Sequence, residues 1–343
     1  MTDQYSDLSR YARQVIFPGV GEEGQRKLLG AHIAIVGCGA TGSTLANSLV
    51  RAGVGRVRII DRDFIELNNL QRQVLFDEDD ITRGLPKAIA AAEKLRRINS
   101  TVQIEPVVAD ANADNILELI GDADVVLDGT DNFDTRYLIN DACVRLLKPW
   151  IYSGVIASYG MTMTIIPGQT ACLRCLYPNP PVPGTTATCD TAGVLNTVVG
   201  VVPNIAANEA LKLIIGQGEL NTGLIHVDLW SNTFDVFNVP RLADCPACGR
   251  HEFEFLSAEA GSQTTSLCGR NAVQVRMRAA RLVRFEDLAA RLASAGEVSF
   301  NEFILRFKVN GYEMTVFPDS RAIIKGTDDE TVAKTLYAKY IGM

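Results

Sequence analysis

The chain has 343 residues, 47 % of them hydrophobic, enough to bury one large core and a smaller second one. A net charge of −7 and the lack of any long run of Lys and Arg exclude a protein that grips nucleic acid through a basic footprint, so no nucleic-acid partner is expected. The opening MTDQYSDLSR has no apolar run, and the apolar run over residues 195–202 stops at Pro203; neither an export signal nor a membrane span is expected, and the location reads as cytoplasmic.

In chain order, residues 11–30 read as a polar segment, a turn at Pro18 and Gly19, and a short helix ending near Gly30. Residues 33–36 form a short, wholly apolar run, as a parallel strand covered on both faces requires. Residues 41–52 follow as helix and VRIID, 57–61, as the next strand. The alternation continues with a helix over 86–97, strand 102–108, helix 112–122, strand 123–130, helix 134–147 and strand 149–156. This is the signature of a Rossmann-like α/β fold with a doubly wound, mostly parallel sheet.

Residues 159–175 then alternate as antiparallel strands that extend the sheet. PNPPVPGTTAT, 178–188, is denied either regular element by its prolines and glycine and reads as a surface crossover. Residues 193–216 are an apolar helix with a new start or kink at Pro203, and GLIHVDLW, 223–230, is the last strand of the sheet. From about Ser262 a small α+β domain is expected: strand 271–276, helix 285–296, a hairpin through Asn310-Gly311, strand 321–326 and helix 328–340. The expected division is an N-terminal segment 1–30, a nucleotide-binding domain 31–261 and a C-terminal domain 262–343.

Gly37, Gly39 and Gly42 make G-x-G-x-x-G between a strand and a helix, where glycine lets the backbone turn tightly and brings helix N-terminal amides up to phosphate. Asp61, at the end of the next strand, can accept from ribose hydroxyls. To this point NAD for an oxidoreductase and ATP for an adenylating enzyme fit equally, and glycines serving only helix–sheet packing is the plainer alternative. Charge favours ATP. Arg13, Arg72 and Lys87 are of little use to a hydride transfer, whereas attack at an α-phosphate with departure of pyrophosphate needs cations on the developing charge. Asp131, just past a parallel strand in DGTDNFDTR, sits where open sheets bind ligands and can hold Mg2+; its plainer role is a helix cap, with Arg136 as its structural neighbour. The three histidines, His32, His226 and His251, lie in positions that core or surface roles explain.

Cys172 and Cys175 in CLRC, with Cys245 and Cys248 in CPAC, supply two C-x2-C knuckles, a pattern that fits a closed tetrahedral Zn2+ site of structural type. Cys189 stands outside this set beside the crossover, ahead of an apolar helix; it is either a half-buried small hydrophobe or a thiolate able to attack an acyl-adenylate. Cys38, Cys143 and Cys268 read as packing residues.

Together RYARQ, GEEGQRKL, IVGCGATGS, AGVGRVRIIDRD, NNLQRQ, LPKA, DGTDNFDTR, CLRC, TCDTAG, NEALKLIIG and CPACG, over roughly residues 10–250, resemble the ubiquitin-activating-enzyme-like superfamily. The likeness is to the bacterial adenylyltransferases that activate sulfur-carrier proteins for thiamine and molybdenum-cofactor synthesis. The resemblance implies that ATP adenylates the C-terminal glycine carboxylate of a small β-grasp carrier ending Gly-Gly, releasing pyrophosphate. It implies a homodimer in which Arg13 reaches the partner's nucleotide. Arg72 and Asn69 then contact phosphate, Lys87 binds phosphates, Asp61 holds ribose and Asp131 holds Mg2+, with Ala40, Asp63 and Asn132 completing the nucleotide site. Ala40 replaces a glycine common in relatives without touching the three of the motif. Cys189 matches a cysteine that forms a covalent sulfur-transfer intermediate in some members and is dispensable in others. A separate sulfurtransferase or cysteine desulfurase is the implied sulfur source.

Overall fold

Five short runs, each too brief for a helix and bounded by turns, become parallel strands: β1 (His32–Val36), β2 (Arg56–Ile60), β3 (Gln103–Val107), β4 (Val125–Asp128) and β5 (Trp150–Ile156). All five residues of β1 are buried, as a strand covered on both faces must be. The computed structural model describes residues 8–181, 189–257, 264–267, 271–275 and 283–341. Two units divide the chain, Met1–Ala260 and Gly261–Met343.

In the first unit the strand order is β3-β2-β1-β4-β5-β6-β7-β8. The first five strands run parallel; β6 (Tyr159–Ile165), β7 (Leu224–Asp228) and β8 (Thr233–Phe237) extend the sheet antiparallel. Ile33 of β1 lies opposite Val57 on one side and Val125 on the other. Chain order therefore reverses between β1 and β4, and loops leaving neighbouring carboxyl ends part there to leave a crevice. The helix Ala40–Ala52 follows β1 and stops at Gly53, whose φ of 86° is left-handed. Trp150, Ile165, Ile139 and Val126 fill part of a core that continues into Cys172, Cys245 and Cys248.

Three features differ from the sequence reading. The alternating run 159–175 holds only one strand, because the chain leaves it at Ile166 and turns through Thr170, whose hydroxyl accepts from Ile166 N–H at 2.8 Å. The helix Asn196–Ile215 runs unbroken past Pro203. Asn204 Nδ2 donates to the Gly200 carbonyl at 2.6 Å, in the turn a proline disturbs. By length and composition this helix could cross a bilayer, but half of its most apolar stretch is buried, and it packs against the helix Ala40–Ala52, β5 and β6. Finally, β8 is an addition to the sequence reading: Phe234 and Val236 alternate with Thr233 and Asp235, but the run is only five residues long and all five are exposed.

The second unit is a six-stranded antiparallel sheet, β11-β12-β13-β14-β10-β9. Its strands are β9 (Thr264–Leu267), β10 (Ala272–Val275), β11 (Glu297–Phe300), β12 (Leu305–Val309), β13 (Tyr312–Val316) and β14 (Ala322–Lys325). Asn310 and Gly311, with φ of 50° and 81°, make the tight turn between β12 and β13. The helices Phe285–Leu292 and Glu330–Tyr340 bury Leu288 and Tyr337 against Phe307, Met314 and Ile324. The edge strands β9 and β11 are short and polar and carry no sequence signal.

Candidate active site and metal centre

The three glycines of the loop do different work. Gly37 has φ of 91°, and a Cβ there would lie 2.6 Å from the Gly129 carbonyl. A Cβ on Gly42 or on Gly129 would overlap the Gly37 carbonyl oxygen. Gly37, Gly42 and Gly129 thus interlock the ends of β1 and β4, which is packing. Gly39 is spared: beyond its chain neighbours, the nearest atom to a Cβ there is Gln73 Nε2 at 3.8 Å. The helix it opens has no side-chain cap and no acidic residue in its first turn, which leaves the positive end of the helix open to an anion. Ala40 turns its carbonyl inward to the hydroxyls of Ser43 and Thr44, each at 3.1 Å.

Asp61 ties this loop to the next. Its two oxygens accept from the Cys38 and Asp63 amides, each at 2.6 Å. Burial raises the Asp61 carboxyl above the usual range, Lys87 opposes the rise, and Asp63 adds to it. Lys87 opens the helix Lys87–Ile98 and is almost fully buried. Its Nζ stands 3.5 Å from Asp63 Oδ2 while its N–H donates to the Asp63 carbonyl at 2.8 Å. Asn69 is buried, and its Oδ1 accepts from Glu66 N–H at 3.1 Å in a reciprocal cap. Arg72 Nη1 donates to the Asn68 carbonyl at 2.8 Å. Asn69 thereby supports the segment that carries Arg72.

At the end of β4, Asp131 is exposed and Asn132 is the helix cap: Asn132 Oδ1 accepts from Thr135 N–H at 2.9 Å. The capping role weighed for Asp131 thus belongs to its neighbour. Arg136 is bonded to Asp128, not to Asp131, with Nε 3.0 Å from Asp128 Oδ2 and Nη2 2.9 Å from the Thr130 carbonyl. That buried pair fixes the backbone immediately before Asp131. Arg13 is exposed on the short helix Ala12–Val15, beside exposed Ile16 and Phe17. Cys189 opens a four-residue helix, Cys189–Ala192; its side chain, with Cys268 and crossover residues 182–188, lies outside the described residues. Cys38 and Cys143 are buried and held protonated by desolvation, as packing thiols are.

Four sulfurs, those of Cys172, Cys175, Cys245 and Cys248, lie within 4.8 Å of one another. Their adjacent pairs are 3.4–4.0 Å apart, against roughly 3.8 Å for the edge of a tetrahedron with metal–sulfur bonds of about 2.3 Å. Hydrogen bonds to Cys175 and Cys248, with burial, hold Cys172 protonated, while hydrogen bonds from Cys172 and Cys248 favour ionised Cys175; a divalent cation at the centre would let all four ionise. Around the cluster, Asn140 Oδ1 accepts from Leu173 N–H at 2.9 Å, and Arg174 bonds Glu254 at 2.9 Å. The donor set fits a closed metal site that clips the start of the crossover to residues 245–248.

Residues missed in the sequence are Gly129, Asp128 and Gln73. Gly129 stands at a strand end, where a glycine signals close backbone approach, but its partner Gly37 is distant in sequence.

The model of the ThiF family matches residues 11–247. The chain belongs to the ThiF family. A full-length member, the sulfur carrier protein ThiS adenylyltransferase of Bacillus subtilis, is 44 % identical over 97 % of this chain and 99 % of its own. The sulfur carrier protein adenylyltransferase of Thermus thermophilus is 39 % identical, over 71 % of this chain and 91 % of that protein. Among solved structures, E. coli MccB with ATP is 26 % identical with a TM-score of 0.62, over 70 % of this ThiF-family chain and 74 % of that one.

Proposed function

We propose that the protein is an ATP-dependent adenylyltransferase acting on the C-terminal glycine carboxylate of a small β-grasp sulfur carrier that ends in Gly-Gly, with release of pyrophosphate. The observation that carries this reading is the uncapped helix at Gly39, a site furnished for phosphate, on the sheet edge that also bears the buried Lys87 beside half-buried Asp63. Full-length similarity to a ThiS adenylyltransferase makes a thiamine-type carrier the first substrate to try. Hydride transfer builds no charge on a departing pyrophosphate, so a buried cation such as Lys87 has less to do there, which weighs against the nicotinamide alternative.

A carboxylate is already ionised near neutral pH, so the protein's task is positioning and charge neutralisation rather than base catalysis. Lys87 and Arg72 bind the phosphates, and Asp131, exposed past β4, is the residue to hold Mg2+, which would neutralise the triphosphate. Arg13, flanked by exposed Ile16 and Phe17, suits a second copy of the chain, to whose nucleotide it would reach across a homodimer. The four-cysteine cluster is assigned to Zn2+ on its thiolate donor set. Cys189 acts after adenylation, if the carrier is then handed sulfur from a sulfurtransferase or cysteine desulfurase. The assigned location is the cytoplasm.

The test is carrier-dependent ATP–pyrophosphate exchange with Mg2+. Lys87→Ala and Asp131→Ala should each lower exchange by about 100-fold or more with the metal content of the four-cysteine cluster unchanged. Absence of exchange from folded, metal-loaded wild-type protein across Gly-Gly carriers would sink the proposal. Cys189→Ala should leave exchange intact.

A further inference from the structure

Gln73 is 4 % exposed and its amide oxygen has no hydrogen-bond partner. The main chain holds it firmly: its N–H donates to the Asn69 carbonyl at 3.0 Å, and its own carbonyl accepts from Phe76 N–H at 3.2 Å. Leu75 and Phe76, next along the chain, are buried. Its amide nitrogen is the atom found 3.8 Å from where a Cβ on Gly39 would sit. Burying an amide with nothing to bond costs stability, and Met or Leu would fill the same volume without that cost. The orphaned atom is the oxygen; a phosphate could bond only the nitrogen, and the nitrogen is the end turned toward Gly39.

We propose that Gln73 contacts the nucleotide directly, its Nε2 donating to a phosphate oxygen brought to the Gly39 end of the helix Ala40–Ala52. Three observations converge on that spot: an uncapped helix start, a glycine whose missing side chain no protein atom requires, and a buried glutamine that turns its amide nitrogen toward that glycine and whose amide oxygen has no partner. Gln73 adds a fixed, neutral donor beside the cations Arg72 and Lys87, orienting a phosphate without adding charge that would retain the departing pyrophosphate. The inference rests on the ATP reading of the site.

The experiment compares the full-length protein with its Gln73→Met and Gln73→Glu variants. Thermal unfolding is measured without nucleotide, and binding of a non-hydrolysable ATP analogue with Mg2+ by calorimetry. Gln73→Met should unfold at or above the wild-type temperature, because it removes an unbonded buried polar group, yet bind the analogue about tenfold more weakly. Gln73→Glu should bind more weakly still, since its carboxylate would face phosphate. Wild-type affinity in either variant overturns the inference, and so does a Gln73→Met protein whose unfolding temperature falls together with its affinity, which would mark a structural glutamine. If wild type itself binds no analogue, the proposed function falls as well; if wild type binds and Gln73→Met matches it, only the role of Gln73 falls.

Discussion

Gly39→Ala and Gly42→Ala add the same methyl group to one loop and should fail in opposite ways. The added Cβ at position 42 would overlap the Gly37 carbonyl oxygen, so β1 or β4 must shift. Overpacking of this kind costs about 1–3 kcal/mol, which lowers the unfolding temperature by roughly 2–12 °C for a unit of this size. At position 39 the nearest atom is 3.8 Å away, an ordinary contact, and φ is −77°, outside the left-handed region. Gly39→Ala should therefore keep the wild-type unfolding temperature to within about 1 kcal/mol of stability. What it loses is approach. A methyl group over the helix start pushes phosphate away from the amides, and one charge-assisted hydrogen bond is worth about 1.5–3 kcal/mol. ATP affinity should thus fall by about 10- to 150-fold. Calorimetric titration and a melting curve on each variant suffice. Gly39→Ala protein that binds ATP like wild type, or that unfolds like Gly42→Ala, would refute the division of labour among these glycines.

Stripping the four-cysteine cluster with a chelator, starting from metal about 1,000-fold above its dissociation constant, should remove about 4 kcal/mol, or roughly 8–16 °C. Hydrogen exchange should rise first in residues 172–181, and uniform loosening of the sheet would contradict a local clip. Asp141 is fully buried and pushed up to about 6 by desolvation, opposed by hydrogen bonds from Phe255 N–H and Asn140. Its folded value exceeds the usual one of about 4, so native stability is lost as pH rises through this interval and the penalty reaches about 3 kcal/mol at neutral pH. Asp141→Asn should then gain stability relative to wild type between pH 4 and pH 7 in urea melts; a difference independent of pH would exclude this cause. Asn132→Ala removes the cap on the helix Phe133–Leu146 and should cost about 1 kcal/mol, read as a lower urea midpoint; no change would mean that the Thr135 bond contributes nothing.

The parallel half of the sheet was legible because its signals are local: apolar runs of strand length, glycine stops, and helices in strict alternation. The edge strands β8, β9 and β11 were not, since an edge is defined by what pairs with it and little of TFDVF or EVSF is committed to a core. The same limit applies within the site. NNLQRQ and DGTDNFDTR declare the positions that matter, but neighbours in each motif have different duties that only contacts separate. Asn69 and Asn132 spend their side-chain oxygens on backbone amides, and Arg136 spends its guanidinium on Asp128 and Thr130.

Asp131, in contrast, follows directly on the Thr130 carbonyl that Arg136 holds, and it is exposed where its neighbours are committed. The pattern has a physical basis. A group that is to take a ligand or a metal ion has to be left short of partners in the free protein, and such a group is positioned only if the backbone on either side is over-determined. The loop after β4 meets both requirements: a buried ion pair fixes one flank of Asp131 and a capped helix start fixes the other. A motif of this kind reads as uniform in sequence because frame and ligand residues must sit side by side.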